Sequence, residues 1–466
     1  MFATAAIGKF IRWGLRVTKH GGSAFPGKIV EQIDPGFLAR TLGQLPLGVV
    51  LVSGTNGKTT TTRMVASMLA DLGLRVFTNP TGSNFTRGVV SALLAEVSLG
   101  GKLDADIAVL ELDEAYAVHF VRQVRPRYAL LLNVMRDQLD RFGEIDTTAK
   151  LLSHVAAATS GTVVLNREDP RIAALANVVP AGTQVRYFGL ADGLRRYFPS
   201  DDDMTTTVSA EAQGQGGAQA GAQAGNSADT ADFAGTVDAS TAADSADGTT
   251  QLPADVTLVA FGDHQATFLM DGKEHATTVK LEGVYNLYNA AAALAVARAV
   301  MTDAKGGADA DALVRAASHV TPAFGRGEII DVNGSPVELL LVKNPMGFRL
   351  SLASFDAVGA DTMIAINDEY ADGRDMSWLW DVDFTSLRDG SVAMVSGVRA
   401  WDMALRLEYD QVPVATVEPD LEQAVDVFVT GHPGVPKHIY CTYTAMLKIR
   451  AILGHITHVA DAGVSR

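Results

Sequence analysis

Residues 51–63, LVSGTNGKTTTTR, set a glycine-bounded turn between an apolar run and a threonine-rich stretch. The turn resembles a phosphate-binding loop, although Val52 stands where the long pattern G-x-x-x-x-G-K-[ST] has its first glycine. Gly54 and Gly57 free the backbone N–H groups of Thr55, Asn56 and their neighbours to converge on phosphate oxygens. Lys58 brings a cation to the outer phosphates, Thr59 offers a hydroxyl to Mg2+, and Thr60 follows in the first helical turn. GVVLVS (48–53) before the loop reads as a strand, and Thr59 to Leu72 after it as a helix, which is the context the motif requires. Nucleotide binding is the expectation.

Outward from the loop, short apolar runs alternate with helical patterns: RVFT, Arg87 to Val97, DIAVLEL (106–112), YALLLNV (128–134) and Thr162 to Leu165. Continuous apolar strands of this kind are buried on both faces of a mostly parallel sheet, so the class is α/β. The pattern dissolves at 200–251, an Ala, Gly, Gln, Ser and Asp stretch with too few large apolar side chains to build a core, and disorder is expected there. VTLVAF, ATFLMDG and TTVKL then read as strands, and the alanine-rich 284–300 as a helix. A second alternation follows Phe324: EIIDV, VELLLVKN, a helix around Phe348 to Val358, TMIAIND, SVAMVSG, and helices at Ala400 to Tyr409 and Tyr443 to Leu453. The expected division is a short N-terminal segment (1–47), an ATP-binding domain (48–320) and a Rossmann-like α/β domain (321–466).

Composition narrows the function. The 466 residues carry a net charge of −15, of which nine acids lie in 201–250, and no basic excess favours nucleic acid. A lone cysteine, Cys441, excludes a disulfide framework and a cysteine-based zinc cluster within one chain, and fits a reducing compartment such as the cytoplasm. It lacks a nucleophile turn and reads as a buried, inert thiol. Near the N-terminus, Lys9, Arg12, Arg16 and Lys19 interrupt the apolar residues Ile7, Phe10, Ile11 and Leu15, unlike a signal peptide or membrane span. An amphipathic helix is expected there, packed on the body or resting on an anionic membrane surface.

GTNGKTTT is also the shortened loop of the Mur ligases and folylpolyglutamate synthetases, and other segments agree in order. VLELDEA (109–115) resembles the family stretch whose glutamate, here Glu111, helps hold Mg2+. NVMRDQLDRFGE (133–144) resembles the next motif, with Gln138 where many relatives have a second-magnesium histidine. Asn286 matches the adenine-side asparagine of the family and Arg326 its ATP-phosphate arginine. GGSAFPGKIVEQIDPGFLARTL, LLLVKNPMGF and INDEYADGRDMSWLWDVDF resemble one branch, the MurT family. Only about 47 residues precede the first strand, too few for the UDP-binding domain of amino-acid-adding Mur ligases.

The resemblance implies ATP-dependent amidation of the D-glutamate α-carboxyl in the lipid II stem peptide through an acyl phosphate, with ATP and Mg2+ as cofactors. It also implies a GatD-type glutamine amidotransferase partner that supplies ammonia. Lys343 is placed near the substrate end of the site, where an ordinary strand-end lysine is the bland alternative. Asp375, Asp381 or Asp383 would complete the partner's Cys-His pair. The zinc ribbon of many MurT proteins is not expected, because the low-complexity stretch takes its place. Lys150, in the position range of a carbamylated lysine in some relatives, reads as a surface residue. A free-standing ligase joining an amino acid to a carboxylate is the alternative.

Overall fold

The computed structural model describes residues 2–17, 25–79, 84–135, 145–197, 252–262, 265–279, 284–307, 309–320, 326–355 and 358–459. The low-complexity stretch and Gln138 lie outside these, as does the side chain of Arg326. Three helices open the chain: α1 (Phe2–Val17), α2 (Phe25–Ile33) and α3 (Phe37–Leu42). Next come β1 (Val49–Ser53), α4 (Lys58–Asp71), β2 (Val76–Thr78), α5 (Thr86–Glu96), β3 (Ile107–Glu111), α6 (Glu114–Val121) and β4 (Tyr128–Leu131). They are followed by α7 (Ile145–Ala158), β5 (Thr162–Asn166), α8 (Pro170–Ala173), β6 (Gln184–Leu190), β7 (Val256–Gly262), β8 (Gln265–Met270) and β9 (Lys273–Thr278).

These strands make one nine-stranded sheet in the order β2-β3-β1-β4-β5-β6-β7-β8-β9. Pairing is parallel from β2 through β7 and antiparallel at β7-β8 and β8-β9. Alternation along β1 sends Val50 and Val52 into one core and Val49 and Leu51 into the other. Both faces are covered, so β1, β3, β4 and β5 are buried along their whole length and mostly apolar. The first face packs against α4 and against α9 (Val284–Lys305) and α10 (Ala310–Ser318). Alanines 290–293 let α9 lie close to the sheet with no bulky side chain between. The second face is covered by α3, α5, α6 and α7.

The second sheet is built from β10 (Arg326–Val332), β11 (Ser335–Leu341), α11 (Pro345–Ser354), β12 (Asp361–Ala365) and β13 (Val392–Ser396). It is completed by α12 (Ala400–Tyr409), β14 (Val414–Glu418), α13 (Leu421–Thr430), β15 (Lys437–Cys441) and α14 (Tyr443–Ile456). Its order is β10-β11-β15-β12-β13-β14, parallel except for the β10-β11 hairpin. Helices α11 and α12 pack on one face and α13 and α14 on the other.

One strand falls elsewhere than the apolar pattern predicts. TTVKL is not a strand as a unit: β9 begins at Lys273, because Asp271 and Gly272, with φ of 51° and 73°, make a two-residue turn that pairs Met270 with Lys273. Asn333 and Gly334 (φ 52° and 84°) close the β10-β11 hairpin in the same way. Among the described residues no helix is long and apolar enough to cross a membrane.

Candidate active site

Val52, the residue in place of the missing glycine, is fully buried in β1 between Glu111 of β3 and Leu130 of β4. The loop starts after it. Gly54 (φ 134°) takes a backbone conformation that side chains rarely adopt, and a Cβ there would lie 3.0 Å from the backbone N and O of Asn133. Gly57 (φ 83°) is the N-cap of α4, and a Cβ on it would meet Asn289 Oδ1 of α9 at 2.6 Å. Both glycines are therefore imposed by close approach as well as by φ.

The loop's backbone is tied to the strand beside it. Thr55 N donates to Asn133 O (3.0 Å), and Asn56 N to Asn133 Oδ1 (2.8 Å). Asn133 Nδ2 donates to Asn56 O (3.1 Å) and to the Tyr285 hydroxyl of α9 (2.8 Å). Asn286 sits half-buried beside Tyr285 in the first turn of α9. Asp169 fixes the strand exit by accepting from Val134 N (2.7 Å); burial pushes its carboxyl above the usual range against the pull of three backbone N–H donors. The sequence reading places Asn133 at the head of the NVMRDQLDRFGE segment without a role of its own and does not single out Asn289, because both act through the loop's backbone and packing.

Lys58 is buried with its ammonium 2.6 Å from Gly54 O, 3.3 Å from Asp113 and 3.6 Å from Glu114. Thr59 Oγ1 donates to Glu111 Oε1 at 2.9 Å. Glu111 is held by its backbone, which exchanges two hydrogen bonds with the Asn79 side chain, and the carboxylate stays aimed at the helix start. The residues fit a nucleotide with magnesium: a hydroxyl and a carboxylate side by side form the sparse protein ligand set that Mg2+ takes when phosphates complete its shell. The buried Thr60 hydroxyl, which finds no partner among the described residues, adds an unused polar atom to the same helical turn.

The second sheet reaches this loop through the end of β11. Lys343 Nζ lies 3.5 Å from Thr55 O. Asn344, almost fully buried, pairs side chain to side chain with Asn56, donating at 2.9 Å and accepting at 3.3 Å. Its Oδ1 also accepts from Gly347 N (2.8 Å), capping α11, and Pro345 supplies the N1 residue. Arg326 begins β10 opposite Leu340.

Asp375, Asp381 and Asp383 are not at the loop. All three are exposed on the segment between β12 and β13. Asp375 accepts from Ser377 N (2.9 Å), and hydrogen bonding from the Ser377 hydroxyl, with that N–H, holds its carboxyl below the usual range. Asp383 accepts from Thr385 N (2.9 Å); burial opposes ionisation there, but the Thr385 hydrogen bonds overcome it and its carboxyl is lowered too. The carbonyl of Asp381 accepts from Arg349 of α11, the helix that Asn344 caps. A fourth acid, Asp372, is buried against the start of α14, accepting from Thr444 N (2.8 Å) and Glu369 N (3.1 Å), and burial raises its carboxyl. Cys441 is wholly buried at the end of β15, and desolvation pushes its thiol far up, which removes it as a nucleophile. Lys150 is exposed on α7.

Residues 52–240 match the Mur ligase middle domain and residues 341–446 the MurT ligase C-terminal domain. The chain is 30% identical over 449 residues to the MurT subunit of the glutamine-hydrolysing lipid II isoglutaminyl synthase of Streptococcus pneumoniae, covering 93% of this chain and 92% of that one. The chain belongs to the MurT family. The MurT subunit of Staphylococcus aureus is 27% identical, with 90% of each chain covered. The MurF ligase of Thermotoga maritima, solved in complex with ADP, shares the fold at 16% identity with a TM-score of 0.61 over 91% of this chain and 83% of that one. A pseudomurein peptide ligase of Methanothermus fervidus does so with a TM-score of 0.60, covering 90% and 80%. As a MurT-family member the chain is a ligase of Mur type.

Proposed function

We propose that this MurT-family chain is the synthetase half of a two-subunit enzyme that amidates the D-glutamate α-carboxyl of lipid II, spending ATP and taking ammonia from a GatD-type glutaminase. The observation that carries the reading is the full-length likeness to MurT subunits of a glutamine-hydrolysing synthase, joined to an intact phosphate loop. A carboxylate resists attack by ammonia until an oxygen is made a leaving group. In the proposed reaction that oxygen attacks the γ-phosphorus, ADP departs, and ammonia then displaces phosphate from the acyl carbon. Mg2+, when bound, neutralises phosphate charge.

The chain's own residues supply positioning and electrostatics. Lys58 and the N-terminus of α4 hold the phosphates, and Thr59 and Glu111 hold the metal. Asn286 faces the adenine side, and Arg326 and Lys343 bring positive charge from the second sheet. The Asn56–Asn344 pair supports this assignment, since it sets Lys343 over the loop.

One of Asp375, Asp381 and Asp383 orients the partner's catalytic histidine. Trp380, Trp401 and Tyr409, each more than half exposed beside that segment, supply apolar area for docking the glutaminase. Arg406 pins the segment to α12 through the carbonyls of Leu379 and Val382 and lies under the Trp380 ring.

The test is co-expression with a GatD-type subunit and mass analysis of lipid II given ATP and glutamine. Exchange of a hydroxyl for an amide is expected; unchanged lipid II with folded protein sinks the reading. ATP-dependent coupling of a free amino acid without a partner assigns a free-standing ligase instead.

A further inference from the structure

Helix α1 seats on the body through small residues in its first two turns: Thr4, whose hydroxyl donates to Asp34 Oδ2 at 2.8 Å, the fully buried Ala5, and Gly8. A Cβ on Gly8 would meet Leu94 of α5 at 2.5 Å and Val30 of α2 at 3.1 Å, so the helix seats this deeply because position 8 has no side chain. Two large apolar side chains lie outward among those described, Ile7 at 42% exposure and Phe10 at 69%. Lys9, one helical turn after Ala5, reaches the carbonyl of Ala95 (3.2 Å) along the seam with the body.

We propose that this outward face docks the protein on an anionic lipid surface. Charge selects the occupant. Residues 1–30 contain five Lys and Arg and no Asp or Glu, in a chain whose net charge is −15. A helix with an apolar outer face and basic residues at its flanks lies in the plane of an acidic membrane, its aromatic side chain below the headgroups. A second copy of this chain is the poorer occupant. A two-fold contact centred on α1 would juxtapose two basic segments. Docking holds the body of the ligase at the bilayer whatever its substrate, so the inference stands apart from the proposed reaction.

The experiment is sedimentation of the full chain, with its partner subunit where one is bound, on phosphatidylglycerol-containing vesicles and on pure phosphatidylcholine vesicles. The expected result is binding to the first and not the second, weakened by high salt. Phe10→Asp and Ile7→Asp should each reduce it roughly tenfold or more. Both positions are exposed, so melting temperature and ATP turnover on a water-soluble substrate analogue should stay at wild-type values. Equal partitioning on the two vesicle types, or an unaltered Phe10→Asp, overturns the proposal. So does vesicle-independent self-association that Phe10→Asp abolishes, which would assign the face to a second copy.

Discussion

The phosphate loop and the acid-bearing segment before β13 are held in opposite ways. In the loop, backbone and side chains are fixed by neighbours from three directions: Asn133 after β4, Glu111 on β3 and Asn344 after β11. In the segment, Asp375 and Asp383 cap turns of their own stretch and face solvent. A preorganised buried cradle is ready for its ligand within one chain. An exposed carboxylate acquires a catalytic role only when another surface desolvates and aligns it.

Substitutions can break that contrast. Lys58→Ala should have the largest effect, a fall of about 10³-fold in turnover with either glutamine or ammonia as nitrogen source, read in steady-state assays. Loss with glutamine alone would show that the loop lysine serves the partner instead. Among Asp375→Asn, Asp381→Asn and Asp383→Asn, one should lower glutamine-driven amidation about 10²-fold and leave the ammonia-driven rate intact. If all three spare both rates, the segment has no part in catalysis.

Asn56→Ala and Asn344→Ala should each lower kcat by roughly tenfold through misplacement of Lys343. Agreement between the two is the check, because only the second also removes the cap of α11.

The smallest effect concerns pH. At the other end of the second sheet's strands, where β12 begins, Asp361 is an acid with an internal partner: it meets the buried Lys437 ammonium at 2.7 Å and His432 at 3.0 Å. Burial alone would raise its carboxyl, but Lys437 and His432 outweigh it and the carboxyl lies below its ordinary value of 3.8. The unfolded chain therefore binds this proton more readily. The stabilisation is present above pH 3.8 and is lost as the pH falls through the lower folded value. Melting temperature should drop across that acid window, and Asp361→Asn should flatten the decline while lowering the neutral-pH value.

Much of this was legible. The strand, loop and helix around Gly54 follow from apolar run, glycine spacing and threonine hydroxyls, and α12 falls where helical periodicity places it, Ala400 to Tyr409. The Asp-Gly and Asn-Gly turns were readable as well. Each fixes the register of its hairpin, which the apolar runs on either side leave open. β6 and β14 carry half-exposed, weakly alternating residues and gave no strong signal.

The sequence by itself determined the strand, glycine-bounded turn and helix around Gly54–Thr59, because apolar run, glycine spacing and helical pattern are properties of residues adjacent in the chain. Tertiary structure alone decided that Asn344 closes on Asn56 across 288 positions and that Asn133 and Asn289 frame the loop. It also decided that α1 turns Phe10 outward. These depend on which surfaces meet, and a hydrogen-bonding or apolar side chain carries no record of its partner until the sheets have packed.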